Sequence, residues 1–254
     1  MNDVTVILNG YRRGYNLDEQ LEAINNQTVK PKEILLWYNH PGNDDLVNYN
    51  IINKIPTALN NINHGVWARF AYALNAKSEY VCIFDDDTIP GKKWLENCLN
   101  TIKIHNGLLG TVGLLYTFPP APMTKFDSYF HHYLRFGWPH NNKYTVEVDL
   151  VGHSWFFRKE WLGAYWYNVP DTDYFKTCGE DMHFSYAIQK HFGLKTYVPP
   201  HPANDKEMWG SIKGSELGGK DSLWTQGPEN QRQLVDEYFK LLRSYGWKLV
   251  NDIG

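Results

Sequence analysis

Hydrophobic and polar positions alternate between two periods along the first hundred residues. Residues 4–8 (Val-Thr-Val-Ile-Leu) form a short apolar run that predicts a buried strand, and residues 9–15, rich in Gly, Tyr and Arg, read as the loop above it. Leu17, Leu21 and Ile24 then fall on one helical face, with Asn16 expected as N-cap and Glu19 three residues on. Pro31 closes that segment. Residues 33–38 predict a second strand, 39–45 a polar loop, 55–59 a weak strand, and 64–74 a helix with Arg69 near its start. Residues 80–84 (Tyr-Val-Cys-Ile-Phe) predict another buried strand. A helix follows through Trp94, Leu95, Cys98, Leu99 and Ile102, closed by Gly107. Strands alternating with helices predict an α/β fold with a mostly parallel, doubly wound central sheet.

The second half is more mixed. Strands are expected over 109–115, 146–151 and 195–198, with 155–158 extending the sheet. A loop is expected at 119–122, a helix at 180–192 closed by Gly193, and a last amphipathic helix at 231–245. Residues 204–227 are polar and rich in Gly, Ser and Lys yet carry two tryptophans, so they read as a long lid-like loop.

Three consecutive carboxylates, Asp85-Asp86-Asp87, end the buried run at Phe84. Such charges repel by about 1 kcal/mol per pair in water and more where water is scarce. A bridging cation relieves that cost, and open α/β sheets bind ligands at the carboxyl ends of their strands. The competing reading is an acidic turn capping the next helix, but a cap needs one acid rather than three.

Composition narrows the field. A formal charge of −3 with no basic patch argues against nucleic acid as a partner. Aromatic residues reach 15%, with ten Trp, enough for some rings to serve as binding surface for sugars or bases. Cys82, Cys98 and Cys178 have no metal or redox spacing, which fits free thiols in a reducing compartment. No leader pattern and no stretch of transmembrane length is visible, so a soluble, cytoplasmic protein is expected, with peripheral attachment to a membrane face left open.

Four stretches, in this order and spacing, resemble GT-A glycosyltransferases, most closely those of family 2. They are residues 4–13 (Val-Thr-Val-Ile-Leu-Asn-Gly-Tyr-Arg-Arg), Asn63-His-Gly-Val-Trp-Ala-Arg69, Phe84-Asp-Asp-Asp-Thr88 and Gly179-Glu-Asp-Met182. The resemblance implies one GT-A domain over 1–254, with a nucleotide-binding half (1–107), an acceptor-binding half (108–203), a lid (204–227) and a C-terminal helix (228–254). It implies transfer of a sugar from a nucleotide-sugar donor to a hydroxyl of a glycan or glycolipid acceptor, with inversion. The donor is expected to be a UDP-sugar, with GDP and dTDP as alternatives. Mg²⁺ or Mn²⁺ is expected to stabilise the departing diphosphate.

On the same resemblance, Asp87 is the expected direct metal ligand. Asp85 is expected at the ribose or, through water, the metal, with Asp86 beside them. His201 is expected to complete the metal shell. Asn9, Tyr11 and Arg13 are expected at the base or phosphates. Asn39 stands where the family often has an acid that reads the base, and Arg69 is expected to grip the diphosphate. Asp181 is the expected general base, with Glu180 in reserve; the competing reading makes both of them helix N-terminal charges. Lys206, Trp209 or Ser211 is expected to touch the diphosphate, and His153 and Trp155 to line the acceptor pocket.

Three rival functions fit parts of the pattern. Exostosin-like retaining transferases also carry three aspartates. Haloacid-dehalogenase phosphatases carry a D-x-D motif, on their first strand. A non-catalytic carbohydrate-binding protein would use the aromatic excess alone.

Overall fold

The computed structural model describes residues 3–118, 128–167, 169, 178–213 and 230–253. Its parallel half consists of β1 (Val4–Gly10), β2 (Glu33–Asn39), β3 (Thr57–Asn60) and β4 (Tyr80–Phe84). These lie in the order β3-β2-β1-β4, each pair parallel. β4 is buried at all five positions and β1 at all but one. Their Val, Ile, Leu, Phe and Cys side chains fill both faces, as expected of strands enclosed on both sides.

The sheet continues with β8 (Leu150–Arg158), antiparallel to β4, and β5 (Gly107–Tyr116), antiparallel to β8. β9 (Lys195–Val198) runs parallel to β5, and β7 (Val146–Val148) closes that side antiparallel to β9. β6 (Tyr133–Gly137) pairs with β5 off this path. The sequence did not signal β6, because its first three residues are exposed and an arginine interrupts it. The single strand expected over 146–151 is two strands. The chain breaks at Asp149, whose carboxylate accepts the amides of Tyr116 and Val250, each at 2.6 Å.

Helices α1 (Leu17–Asn25), α2 (Tyr49–Ile52), α3 (Ala68–Tyr72), α4 (Trp94–Ile104), α5 (Leu162–Tyr165), α6 (Glu180–Phe192) and α7 (Gln231–Ser244) pack around the sheet. The helix expected over 64–74 is shorter, with only α3 and a following 3-10 turn at Ala73–Asn75. Its Phe70 stacks on Tyr165 of α5 at 4.6 Å and meets Trp155 of β8 edge-on at 5.4 Å. Asn16 makes no cap bond to α1; its side chain is used elsewhere. The loop expected at 119–122 lies outside the described residues. Cys82, Cys98 and Cys178 are buried. Among the described residues no helix is long and apolar enough to cross a membrane.

Candidate functional site

The aspartate triplet leaves β4 at the centre of the sheet, between β1 and β8. Its turn is held through carbonyls. Gln20 Nε2 donates to the carbonyls of Asp85 and Thr88, each at 2.7 Å, and Asn16 Nδ2 to that of Asp86 at 3.0 Å. Arg13, in the loop after β1, bonds Asp86 and also Asp87 Oδ2, the latter at 2.8 Å. Asp86 is only 5% exposed. Burial raises its carboxyl to about 6, the Arg13 charge opposing this. Burial works against the Arg13 charge as well, but Asp86 and Asp87 outweigh it, so that guanidinium is held more firmly protonated than usual. Asp86 therefore acts inward, as the anchor of Arg13.

His153 comes to the same place through a fault in the sheet. Between Gly110 opposite Trp155 and Val112 opposite Gly152, the register of β5 and β8 shifts. His153 sits in that bulge with φ +65, a left-handed conformation uncommon for any residue but glycine. Its carbonyl accepts from the Asp85 amide at 3.0 Å and from Thr88 Oγ1 at 2.9 Å, which binds the bulge to the triplet's turn. One donor atom each from Asp85, Asp87 and His153 lies within 4.8 Å of the others. Asp87 Oδ1 is buried and has no hydrogen-bond partner among the described residues. A desolvated carboxylate oxygen without a donor is costly. Two carboxylates and an imidazole are a donor set that suits Mn²⁺ and accommodates Mg²⁺ less readily. The residues present thus fit a divalent cation.

Arg69 joins this cluster to the second acidic motif. Its guanidinium bonds Asp85 on one side and Glu180 Oε1 on the other, at 2.9 Å for the latter, and lies 4.6 Å over the Trp155 ring. Arg69 was expected at a diphosphate; in the fold it is buried and clamps two carboxylates together. Glu180 and Asp181 open α6. Gly179, at φ +86, makes their approach feasible, because a Cβ there would lie 2.4 Å from the Tyr238 ring of α7. Burial lifts Glu180 to about 7 against the pull of Arg69, and lifts Asp181 to about 6 against the Met182 amide and the Tyr129 hydroxyl. Asp181 Oδ1 accepts the Met182 amide at 2.7 Å and Oδ2 the Tyr129 phenol at 3.2 Å.

Asp85, His153, Glu180 and Asp181 line one cleft of about 450 Å³, a size typical of small-ligand sites. Tyr129, Tyr133 and Arg135 line the same cleft. No sequence motif singles out these three, since they flank or occupy the unsignalled strand β6.

Several expected residues lie elsewhere or act differently. Asn9 is at the end of β1 in register with Trp37, and the Arg12 guanidinium covers the Tyr11 ring at 5.2 Å. Asn39 is buried with both ends of its amide used. Nδ2 donates to Asn63 Oδ1 at 3.0 Å, and Oδ1 accepts the His64 amide at 3.4 Å. Trp155 is 1% exposed, with one ring face given to Arg69 rather than to a sugar. His201 does not join the metal-type cluster. It is fully buried, Nδ1 bonds the Pro199 carbonyl at 2.9 Å, and Nε2 accepts the Gly210 amide at 3.1 Å. Burial lowers its pKa to about 4. Its place in the cluster is taken by His153, which the sequence had assigned to the acceptor.

The described part of the expected lid, 204–213, is folded down. Trp209 is 7% exposed and donates to the Pro202 carbonyl at 2.8 Å. Asp205 pairs with Lys93 at 2.9 Å, and Ser211 Oγ accepts the Ile89 amide at 3.2 Å. Lys206 lies 5.4 Å from the Trp209 ring. The backbone passes so close to Gly91 that a Cβ there would meet the Glu207 carbonyl at 2.5 Å. This segment braces the loop behind the triplet, and the remainder of the expected lid, 214–227, lies outside the described residues. The phosphatase reading also loses its footing, because the triplet follows the fourth strand and not the first.

The sequence matches no protein-family model and no curated protein. Solved structures do match. S. aureus TarS is 16% identical with a TM-score of 0.50, over 78% of this chain and 36% of TarS. Residues 1–349 of S. aureus TarS in complex with UDP are 16% identical with a TM-score of 0.51, over 79% of this chain and 59% of that one. The chain therefore spans less than two thirds of either match. At this identity the likeness is one of fold, and that fold is the GT-A type to which the four motifs pointed.

Proposed function

We propose that this protein is a glycosyltransferase. In this reading it moves a sugar from a UDP-sugar to a hydroxyl of a glycan or glycolipid acceptor, with inversion, and depends on Mn²⁺ or Mg²⁺. The observation that carries the proposal is that the Asp85–Asp87–His153 cluster meets the Glu180–Asp181 pair in one cleft of a GT-A fold, which Asp85 and His153 of the cluster line. The complex of the TarS fragment with UDP supports the choice of nucleotide.

Asp85, Asp87 and His153 would hold the cation, which when bound supplies the positive charge that a leaving diphosphate requires. Asp181 is the proposed general base. Among the described residues both its oxygens bond neutral donors, the Met182 amide and the Tyr129 phenol, and a carboxyl near 6 is ionised at neutral pH while still basic enough to take a proton. Glu180 is committed to Arg69, so it fits a positioning role better. In the transfer, the acceptor oxygen forms a bond to the anomeric carbon as the bond to the diphosphate oxygen breaks. The hydroxyl proton passes to Asp181. Arg69 fixes Asp85 relative to Glu180, and so keeps the cation-binding end of the cleft in register with the base.

Calorimetric titration of UDP with and without Mn²⁺ tests the reading. Binding is expected only with the cation, and is expected to vanish in Asp87→Ala. Asp181→Asn is expected to keep binding and lose turnover. Undiminished, cation-independent UDP binding in Asp87→Ala would overturn the metal assignment. The anomeric configuration of the product, read by proton NMR, separates inversion from the exostosin-like alternative.

A further inference from the structure

The cleft carries charges of both signs. Asp85, Glu180 and Asp181 line it, the first and second bridged by Arg69, while Arg135 of β6 lines it as a cation with no ion-pair partner within 4.0 Å among the described residues. Arg135 stands opposite Leu114 of β5, and Tyr133 of the same strand stands opposite Tyr116. Tyr133 and Arg135 are two residues apart, so they share a face of β6, and both line the cleft. Behind the guanidinium is the Trp138 ring at 6.0 Å, and Trp138 in turn meets the His153 ring at 5.4 Å. Arg135 is thus braced from the cation-binding side by an aromatic ring. Arg135 is exposed but partly desolvated by its neighbours, which lowers its pKa, and the groups that offset this are the hydroxyls of Tyr133 and Tyr129, not a carboxylate. An exposed guanidinium that lines a cleft and has no carboxylate paired with it among the described residues is a recognition point for an anion brought by the ligand.

We propose that Arg135 binds an anionic group, a phosphate or a carboxylate, carried by the acceptor. A planar guanidinium presents paired N–H donors that match either oxyanion. The carboxylates of the cleft repel the same group, so an acceptor is oriented with its hydroxyl toward Asp181 and its charge toward Arg135. The assignment of the anion to the acceptor rests on the glycosyl-transfer reading; the anion site itself does not.

Glycerol 3-phosphate and glycerol serve as matched probes, titrated calorimetrically into the full chain in EDTA, so that no cation offers a second phosphate site. Saturable binding of glycerol 3-phosphate but not glycerol is expected, weakened at least tenfold in Arg135→Gln and less in Arg135→Lys. Equal affinity in the three proteins, or no binding to the wild type, would overturn the proposal. Repeating the titration with saturating UDP and Mn²⁺ separates the sources. Retained affinity assigns the anion to the acceptor, whereas competition assigns it to the donor diphosphate and overturns the proposal. Titrating UDP and Mn²⁺ alone into the wild type tests the glycosyl-transfer reading separately, since that result does not involve Arg135.

Discussion

The phenol of Tyr129 donates to Oδ2 of Asp181 at 3.2 Å, and the Tyr129 amide is held by Asp236 of α7 at 2.9 Å. The C-terminal helix therefore reaches the proposed base through one tyrosine. The Tyr129 hydroxyl also lowers the Asp181 pKa, against a burial that raises it to about 6.

Tyr129→Phe removes that restraint, so the Asp181 pKa should rise further. The base works as the anion, and activity must then be lost at the acid side. A hydrogen bond to a charged group is worth about 1.5 kcal/mol, which moves the acid limb of the kcat/KM profile up by about one pH unit. The expected signature is a several-fold loss at pH 6 with little change at pH 8.5. A uniform loss at every pH would assign Tyr129 a purely structural part.

Asp86 and Asp87 should separate on substitution. Asp86→Asn weakens the anchor of Arg13 and should lower unfolding free energy by about 1–3 kcal/mol while keeping Mn²⁺-dependent UDP binding. Asp87→Asn should abolish that binding with a smaller cost in stability. Denaturant melts beside calorimetry read both quantities, and the reverse pattern would exchange the two roles.

Arg69→Met should be among the most damaging single changes. It leaves the Asp85 and Glu180 carboxylates without their buried counter-charge, a loss of about 3–5 kcal/mol. Glu180 titrates near 7 in the fold against 4.5 as its ordinary value, so the folded chain holds a proton that the unfolded chain releases between those limits. Stability from this group accordingly falls as pH rises through that window. Without Arg69 the Glu180 pKa rises further, and the damage should be smaller at pH 5.5 than at pH 8. Equal loss at both would show that the ion pair is not its source.

His201 should matter to folding and not to the cation. Its ring sits between Trp94 and Trp209 at 5.4 and 5.8 Å, and His201→Ala should cost about 2–4 kcal/mol through the cavity and the stranded Gly210 amide. Its folded pKa of about 4 lies below the ordinary 6.5, so the stability it confers is complete above 6.5 and lost as pH falls toward 4. The variant's melting temperature should therefore depend less on pH across that interval than the wild type's. Loss of Mn²⁺ binding in a folded His201→Ala protein would return this residue to the metal shell.

The chain itself specified β1, β2, β4, α4, α6 and α7, because long apolar runs and helical stripes are local signals that burial reinforces. It also specified the two acidic motifs, since three adjacent carboxylates after a buried strand have no inexpensive structural use. β6 escaped notice because an exposed strand paired on one side has little apolar pattern, and with it went Tyr129, Tyr133 and Arg135. The choice between His153 and His201 was out of reach for a different reason. A register shift against β5 turns one imidazole toward Asp85 and Asp87, whereas the other is sealed between two tryptophans with both nitrogens bonded. Likewise Arg69 reads in sequence as a helix arginine, and only the packing of α3 against β4 and α6 makes it the clamp between two acids. Residue type fixes what chemistry a side chain can perform; which partners it meets depends on contacts between segments far apart in the chain, and those are set by tertiary packing.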